Sequence, residues 1–252
     1  MVRTPQQPLV ERLAWDSEFF GRAIGRARTG TLDQSSAAQL VGEATEAGLE
    51  CVYFFAASDD FASVVAAEER GFHLVDVRIV LERAADLAIA ARGDETVFAI
   101  EAARAEELPR LEEIAAQIAR LSRYAADPRF SMADTERLYR AWIDNAYRGY
   151  ADAVLVAREE TGGAALGFMC PKMHGELCDV QLVGVAAEQR QRKVGRALIE
   201  AGIGWAREHG ASRLQVVTQG RNVAAQRLYQ QLAFLTTEVK LCYHLWLPRV
   251  AR

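Results

Sequence analysis

The chain has no CxxC pair. Its four cysteines, Cys51, Cys170, Cys178 and Cys242, lie far apart, except that the middle two are eight residues apart. The four histidines, His73, His174, His209 and His244, are equally scattered. A metal centre needs soft ligands gathered at short spacing, so no metal is expected and the thiols read as buried structural groups. His174 and Cys178 stand at helical metal spacing, but Gly175 between them signals a turn and argues against a helix. No apolar run approaches the roughly 18–20 residues that cross a bilayer. The opening MVRTPQQPLVERL holds no apolar core of a secretory signal, so none is expected and the cytoplasm is the expected compartment. Positive charge is not in excess. The net charge of −4 leaves no electrostatic case for nucleic acid or a membrane surface as partner.

Half of the 252 residues are hydrophobic and a quarter are charged, as in a globular protein with room for one large domain or two modest ones. The alanine-rich stretch LERAADLAIAARGDETVFAI, residues 81–100, separates two β-rich segments and places the boundary there. The reading is a smaller domain over 1–92 and a larger one over 93–252.

In the first part, Val52 to Ala57 reads as a buried strand. Asp59 to Arg70 reads as a helix with Ser58 or Asp59 at its N-cap and Gly71 past its end. Leu74 to Leu81 alternates like a strand. In the second part, Thr96 to Glu101 is predicted as a strand, and Ala105 to Leu121 and Ala133 to Tyr147 as helices. Ala153 to Arg158 and Ala165 to Lys172 are predicted to pair as a hairpin around Thr161-Gly162-Gly163. A strand ends at Val185. A helix follows over Val194 to His209, with Val194, Leu198, Ala201 and Trp205 as its core stripe. Leu214 to Thr218 (strand), Val223 to Leu232 (helix) and Thr237 to Leu247 (long strand) complete an α/β protein with a mixed sheet. A weak internal repeat links Val64–Glu82 with Arg227–Leu247: each is a helix, a small residue plus Phe, and a strand.

The most informative feature is QRQRKVGRAL, Gln189 to Leu198, which follows the strand Val180 to Val185. A strand, a basic turn and a helix N-terminus make an anion site. The free N–H groups of the first turn point at the ligand and the helix dipole favours negative charge. Arg190, Gln191, Arg192, Lys193, Val194 and Gly195 resemble the R/Q-x-x-G-x-G/A signature of the GNAT N-acetyltransferases, with Lys193 at the first glycine position. Asn222, Ala225, Tyr229 and Ala233-Phe234 resemble the family's N-x-x-A-x-x-x-Y-x-x-x-G-F pattern, with alanine for glycine at 233.

The resemblance implies a GNAT fold and acetyl-CoA as cosubstrate, and with it the internal repeat suggests a truncated GNAT-like domain in front. It implies that Val183 and Val185 offer main-chain contacts to the pantetheine arm on a bulged strand. The basic turn, with Arg190, Gln191, Arg192, Lys193, Val194, Gly195 and Arg196, would hold the phosphates, with Asn222 and Ala225 completing the site. Tyr229 takes the family's general-acid place beside the thiolate, and Asp179 the place of a carboxylate base. As a plain strand, Asp179, Gln181, Val183 and Val185 would share one face.

Leu13–Gly21 and Ala119–Gly149 further resemble GNAT enzymes that acetylate a nucleotide-linked 4-amino-4,6-dideoxy sugar. A small-molecule amine of that class is therefore the expected acceptor. Arg123 would pair a nucleotide diphosphate and Tyr124 would stack on a base or sugar. Tyr139 and Trp142 would wall the pocket from the next helix. Another small amine, such as an antibiotic or a polyamine, and a non-catalytic acyl-CoA-binding module stay open as alternatives, and so does a homodimer.

Overall fold

A computed structural model describes residues 7–89 and 98–248. It divides into two compact units. One ends at Arg78 and resumes at Val239; the other is Ile79–Glu238. The chain changes units inside two long strands. The boundary read between residues 92 and 93 lies outside the described residues.

The first unit contains β1 (Val10–Arg12), α1 (Ala14–Phe20), β2 (Ile24–Ala27), α2 (Gln34–Glu46), β3 (Cys51–Ala57), α3 (Phe61–Glu69) and the start of β4 (His73–Ala84). β1 and β2 are antiparallel, and β2 and β3 are parallel. Val52, Phe54 and Ala56 alternate into a core shared with Leu40 and Ala44 of α2 and with Ala66 and Ala67 of α3. The α3 N-cap is Asp60, not Ser58 or Asp59. Its carboxylate accepts the Ser63 N–H at 3.1 Å and also the Ser63 hydroxyl, a second donor that Phe61 and Ala62, three positions after Ser58 and Asp59, lack.

The second unit contains the rest of β4, then β5 (Ala99–Ala102), α4 (Leu108–Ile118), α5 (Arg123–Ala126), α6 (Met132–Asn145), β6 (Leu155–Arg158), β7 (Gly167–His174), β8 (Leu177–Val185), α7 (Val194–Glu208), β9 (Arg213–Gln219) and α8 (Val223–Gln231). The last strand, β10 (Leu235–Trp246), begins here and returns to the first unit, where Lys240 to Trp246 pair antiparallel with β3. Strand order in the second unit is β4-β9-β8-β7-β6-β5, antiparallel from β5 to β8 and parallel between β8 and β9. α7 packs on one face of this sheet, and α4 and α6 on the other.

The helix read as Ala105–Leu121 is an α-helix only over Leu108–Ile118, flanked by single 3₁₀ turns. The stripe read along α7 is rotated. Its buried row is Val194, Leu198, Gly202 and Ala206, with Ile199 and Ile203 beside it. Met169 packs into the space a side chain at 202 would need, which draws the helix onto the sheet along that line.

The weak repeat is a structural one. α3 and α8 are each nine residues long, and each leads into a twelve-residue strand. Gly71 and Ala233 both take positive φ, +83° and +61°. Phe72 and Phe234 then donate their N–H to Ala67 and Tyr229, five residues back, and bury their rings.

Arg158 of β6 is fully buried. It forks onto Glu107 at 2.8 and 2.6 Å and reaches Glu101 at 3.1 Å. Burial opposes charge on Glu107, but the Arg158 guanidinium and the Arg104 amide hold its carboxyl below the usual range. Arg158→Met leaves the partly buried Glu107 carboxylate without its fork and is expected to cost about 1–3 kcal/mol in urea unfolding. Because the folded-state pKa of Glu107 is depressed, its contribution is present above the unfolded carboxylate pKa, about 4.3, and is lost as pH falls through the lower folded value.

Candidate active site

β8 and β9 pair only from Leu177↔Arg213 to Val180↔Val216, although the strands run on to Val185 and Gln219. Beyond Val180 no β8–β9 pair follows among the described residues, while Leu182–Val185 stay in register with β7, so the β9-facing side of β8 is left open there. On its other side β8 shifts register against β7. Val180 faces Pro171 and Leu182 faces Cys170, so Gln181 is an extra residue without a partner on β7.

This bulge corrects the single-face reading of Asp179, Gln181, Val183 and Val185. Asp179 lies opposite Lys172, whereas Val183 and Val185 lie opposite Met169 and Gly167. Lys172 is an odd number of residues from Met169 and Gly167 along β7, so the two groups point to opposite faces. Val183 and Val185 join Val194, Leu198 and Tyr229 in the cluster under α7. Asp179 shares its face with Leu182 and Phe168, beneath α4 and α6.

The basic turn follows β8. Gln191 and Lys193 adopt φ of +66° and +68°, so the backbone takes the left-handed form at the family's glycine position even though a lysine stands there. Lys193 is the N-cap of α7 and makes no side-chain cap bond, which leaves the first-turn N–H groups to a ligand. The cations differ in engagement. Arg192 is paired with Glu159 at 2.7 Å, and Arg196 with Glu200 at 2.7 Å. Arg196 also buries an Nη1 that has no hydrogen-bond partner among the described residues, a donor suited to an anion. Arg190 is exposed, with no ion pair among the described residues. A Cβ on Gly195 would lie 3.3 Å from Leu228 and 3.6 Å from Val185, so this glycine lets α7 start close to β8 and α8.

The left-handed form costs an L-residue roughly 1–2 kcal/mol, and glycine's extra unfolded-state entropy returns about 0.4–1 kcal/mol of that. Lys193→Gly is therefore expected to raise stability by about 0.5–1 kcal/mol by urea titration, and Ala233→Gly likewise.

Asn222 caps α8, its side chain accepting the Ala225 N–H at 3.3 Å. Tyr229 follows two turns later, buried and 5.8 Å from Phe234 between ring centres. Burial pushes its phenol up to about 12, so it stays protonated at neutral pH. Asp179 is half-buried and accepts from Gln181 Nε2 at 2.7 Å. Lys172 and Gln215 lie directly beside it on β7 and β9, forming a polar row across three strands. No local sequence pattern marks Lys172 or Gln215, or sets Gln181 apart from its strand. The alternation of β7 and β9 would have flagged them once the strand register was known.

Arg123 opens α5. Its guanidinium donates to Tyr124 Oη at 2.6 Å and sits 4.4 Å above that ring. Tyr124 and Tyr139 are themselves buried, packed on Phe130 and Trp142, while Trp142 is partly exposed. These four residues are brought together, with Tyr124 and Tyr139 as packing rings.

The sequence profile described as Acetyltransferase (GNAT) family matches residues 108–234, half of the chain. The chain belongs to this family. It is an acetyl-CoA-dependent N-acetyltransferase, and residues 108–234 run from the start of α4 to the αL turn after α8. Over 227 residues it is 26% identical to the dTDP-fucosamine acetyltransferase of Escherichia coli O6:H1, covering 90% of this chain and 93% of that one. It is 31% identical to the mycothiol acetyltransferase of Stackebrandtia nassauensis over 97 residues, 37% of this chain and 32% of the relative. A solved GCN5-related N-acetyltransferase from Sphaerobacter thermophilus shares the fold at a TM-score of 0.64 and 13% identity, over 94% of this chain and 76% of that one. Among the described residues there is no cluster of three or more candidate metal ligands, and no helix is long and apolar enough to cross a membrane.

Proposed function

We propose that this GNAT enzyme acetylates the amine of a nucleotide-linked 4-amino-4,6-dideoxy sugar. The observation that carries the acceptor class is the reach of the likeness to the dTDP-fucosamine enzyme, which covers nine-tenths of both chains and so includes the first unit. The second reading, another small amine acceptor, draws on the higher identity to a mycothiol enzyme over about a third of each chain.

Acetyl-CoA supplies an acetyl group activated as a thioester. The backbone of Val183 and Val185, with no β9 partner among the described residues, would take the pantetheine arm as an added strand. The turn from Arg190 to Arg196, with its open N–H groups and the orphaned Arg196 Nη1, would take the phosphates. Asn222 and Ala225 would hold the start of α8 against the arm. Tyr229 would donate a proton to the departing sulfur. Asp179, on the other side of the opening between β8 and β9, would take one from the acceptor amine. Arg123 would meet the acceptor's diphosphate at the rim of the aromatic cluster of Tyr124, Tyr139 and Trp142.

The first unit is read as a shortened copy of the same fold with no second cofactor site. The α2 N-terminus is filled by its own Asp33, whose carboxylate accepts the Ser36 N–H at 2.7 Å, where α7 offers none. A cytoplasmic location fits the four buried thiols and the cosubstrate.

The test is thiol release from acetyl-CoA with a panel of amines. A nucleotide-linked 4-amino-4,6-dideoxyhexose is expected to exceed polyamines and aminoglycosides in kcat/KM by at least about tenfold, or 1.4 kcal/mol. Equal rates across the panel would remove the acceptor assignment.

A further inference from the structure

We infer, resting on the reading that Asp179 accepts the acceptor's proton, that Gln181 is a positioning residue for that carboxylate. Gln181 is the extra residue of the β8 bulge. It has no partner on β7, and it stands one residue past the last β8–β9 pair, at the edge of the opening. Its side-chain amide turns back along the strand and gives Asp179 Oδ2 a hydrogen bond of 2.7 Å. The irregularity that frees the backbone for the cofactor arm therefore also sets an amide donor beside the base.

An N–H donor aimed at a carboxylate stabilises its charged form and holds one oxygen, which directs the other. For an amine to be deprotonated near neutral pH the base must already be ionised, so the contact serves the chemistry in both ways.

Several charged groups neighbour Asp179 on the adjoining strands. Lys172 lies directly opposite on β7, its Nζ over the Tyr150 ring at 4.3 Å and bonded to the Tyr150 carbonyl. Asp152 accepts the Met173 N–H at 2.7 Å. On β9 the partner is uncharged Gln215, and Arg213, one row further, is paired with Glu82 at 3.1 Å. His174 stands one row away on β7. From the helical layer, α4 presents the apolar Leu111, Ile114 and Ile118. Gln181 donates to Asp179 from an uncharged amide, so replacing it with leucine leaves the net charge unchanged.

The experiment follows the Asp179 carboxyl by carbon-13 NMR titration, with Asp179→Asn assigning the signal, in the wild type, Gln181→Leu and the isosteric Gln181→Glu. In parallel it records the pH profile of kcat/KM for the amino-sugar nucleotide and the acetyl-CoA affinity by calorimetry. Losing the donor is expected to raise the Asp179 pKa, so that its proton affinity increases about threefold or more in Gln181→Leu and about tenfold in Gln181→Glu, where a like charge is added. The acidic limb of kcat/KM should move up by the same amount, kcat/KM at pH 7 should fall about tenfold, and acetyl-CoA affinity should stay within about twofold. An unmoved titration in both variants overturns the inference whatever the activity. A moved titration with an unmoved acidic limb overturns Asp179 as the base, and with it Gln181's part in the reaction. Acetyl-CoA affinity falling in step with kcat/KM would assign Gln181 to the shape of the bulge instead. Wild-type protein inactive on every acceptor would count against the proposed function alone, since the titration is read without turnover.

Discussion

Tyr229→Phe is expected to lower kcat by about 10²–10⁴-fold, the usual worth of a positioned acid or base, while acetyl-CoA affinity stays within about twofold. Three facts set this expectation. Tyr229 lies in the cluster of Val183, Val185 and Val194, on the α7 side of the separating strands. Its hydroxyl is protonated through neutral pH, because burial pushes the phenol up to about 12. A leaving thiolate has a conjugate-acid pKa of roughly 8.5, so a weak acid suffices to help it depart. Phenylalanine keeps the ring that packs on Phe234, so folding should survive the substitution. Single-turnover kinetics with calorimetry on the same samples make the check. A Phe variant with undiminished kcat would leave Tyr229 as a core ring and pass the proton to water.

A chain ended at Glu238 is expected to lose the first unit altogether. Residues 240–246 pair with every residue of β3. Tyr243 and Leu245 belong to the core that β3 shares with α2 and α3, and the Tyr243 and Phe54 ring centres are 6.3 Å apart. Removing two such side chains costs about 5–10 kcal/mol by large-to-small precedent, before any loss of the ladder. That equals the whole stability of a typical domain, about 5–15 kcal/mol. Hydrogen exchange would report it. β3 amides that are slow in the full chain should exchange at the unfolded rate in the shortened one, and persistent protection there would show that β1, β2 and β3 hold without their partner.

Local patterns were readable wherever a local rule governs them. β3, β7, β9 and α7 lie within a residue or two of their sequence-read limits, because alternation, glycine turns and a 3.6-residue period act over short range. The repeat was readable too, and the positive φ at Gly71 and Ala233 gives it a backbone basis. Ser58, Asp59 and Asp60 are all able cappers, so the sequence leaves the α3 cap open, and the amide and hydroxyl of Ser63 single out Asp60. The α7 stripe was misread because one close approach, Met169 against Gly202, sets which line of the helix meets the sheet.

By itself the sequence determined the family signature, the basic turn at the head of a helix and the tyrosine one segment beyond Asn222. These are short-range facts of order and spacing, and they survive any packing. Tertiary structure decided which side of the sheet each site residue occupies. One extra residue in β8, defined only by its pairing with β7, turns Val183 and Val185 away from Asp179. It decided as well that Tyr124 and Tyr139 pack inward, that Arg192 and Arg196 carry acidic partners, and that β10 completes the first unit. Each of these depends on contacts between residues far apart in the chain. A strand's register, and the face its side chains take, belong to the pair of strands and not to either one alone.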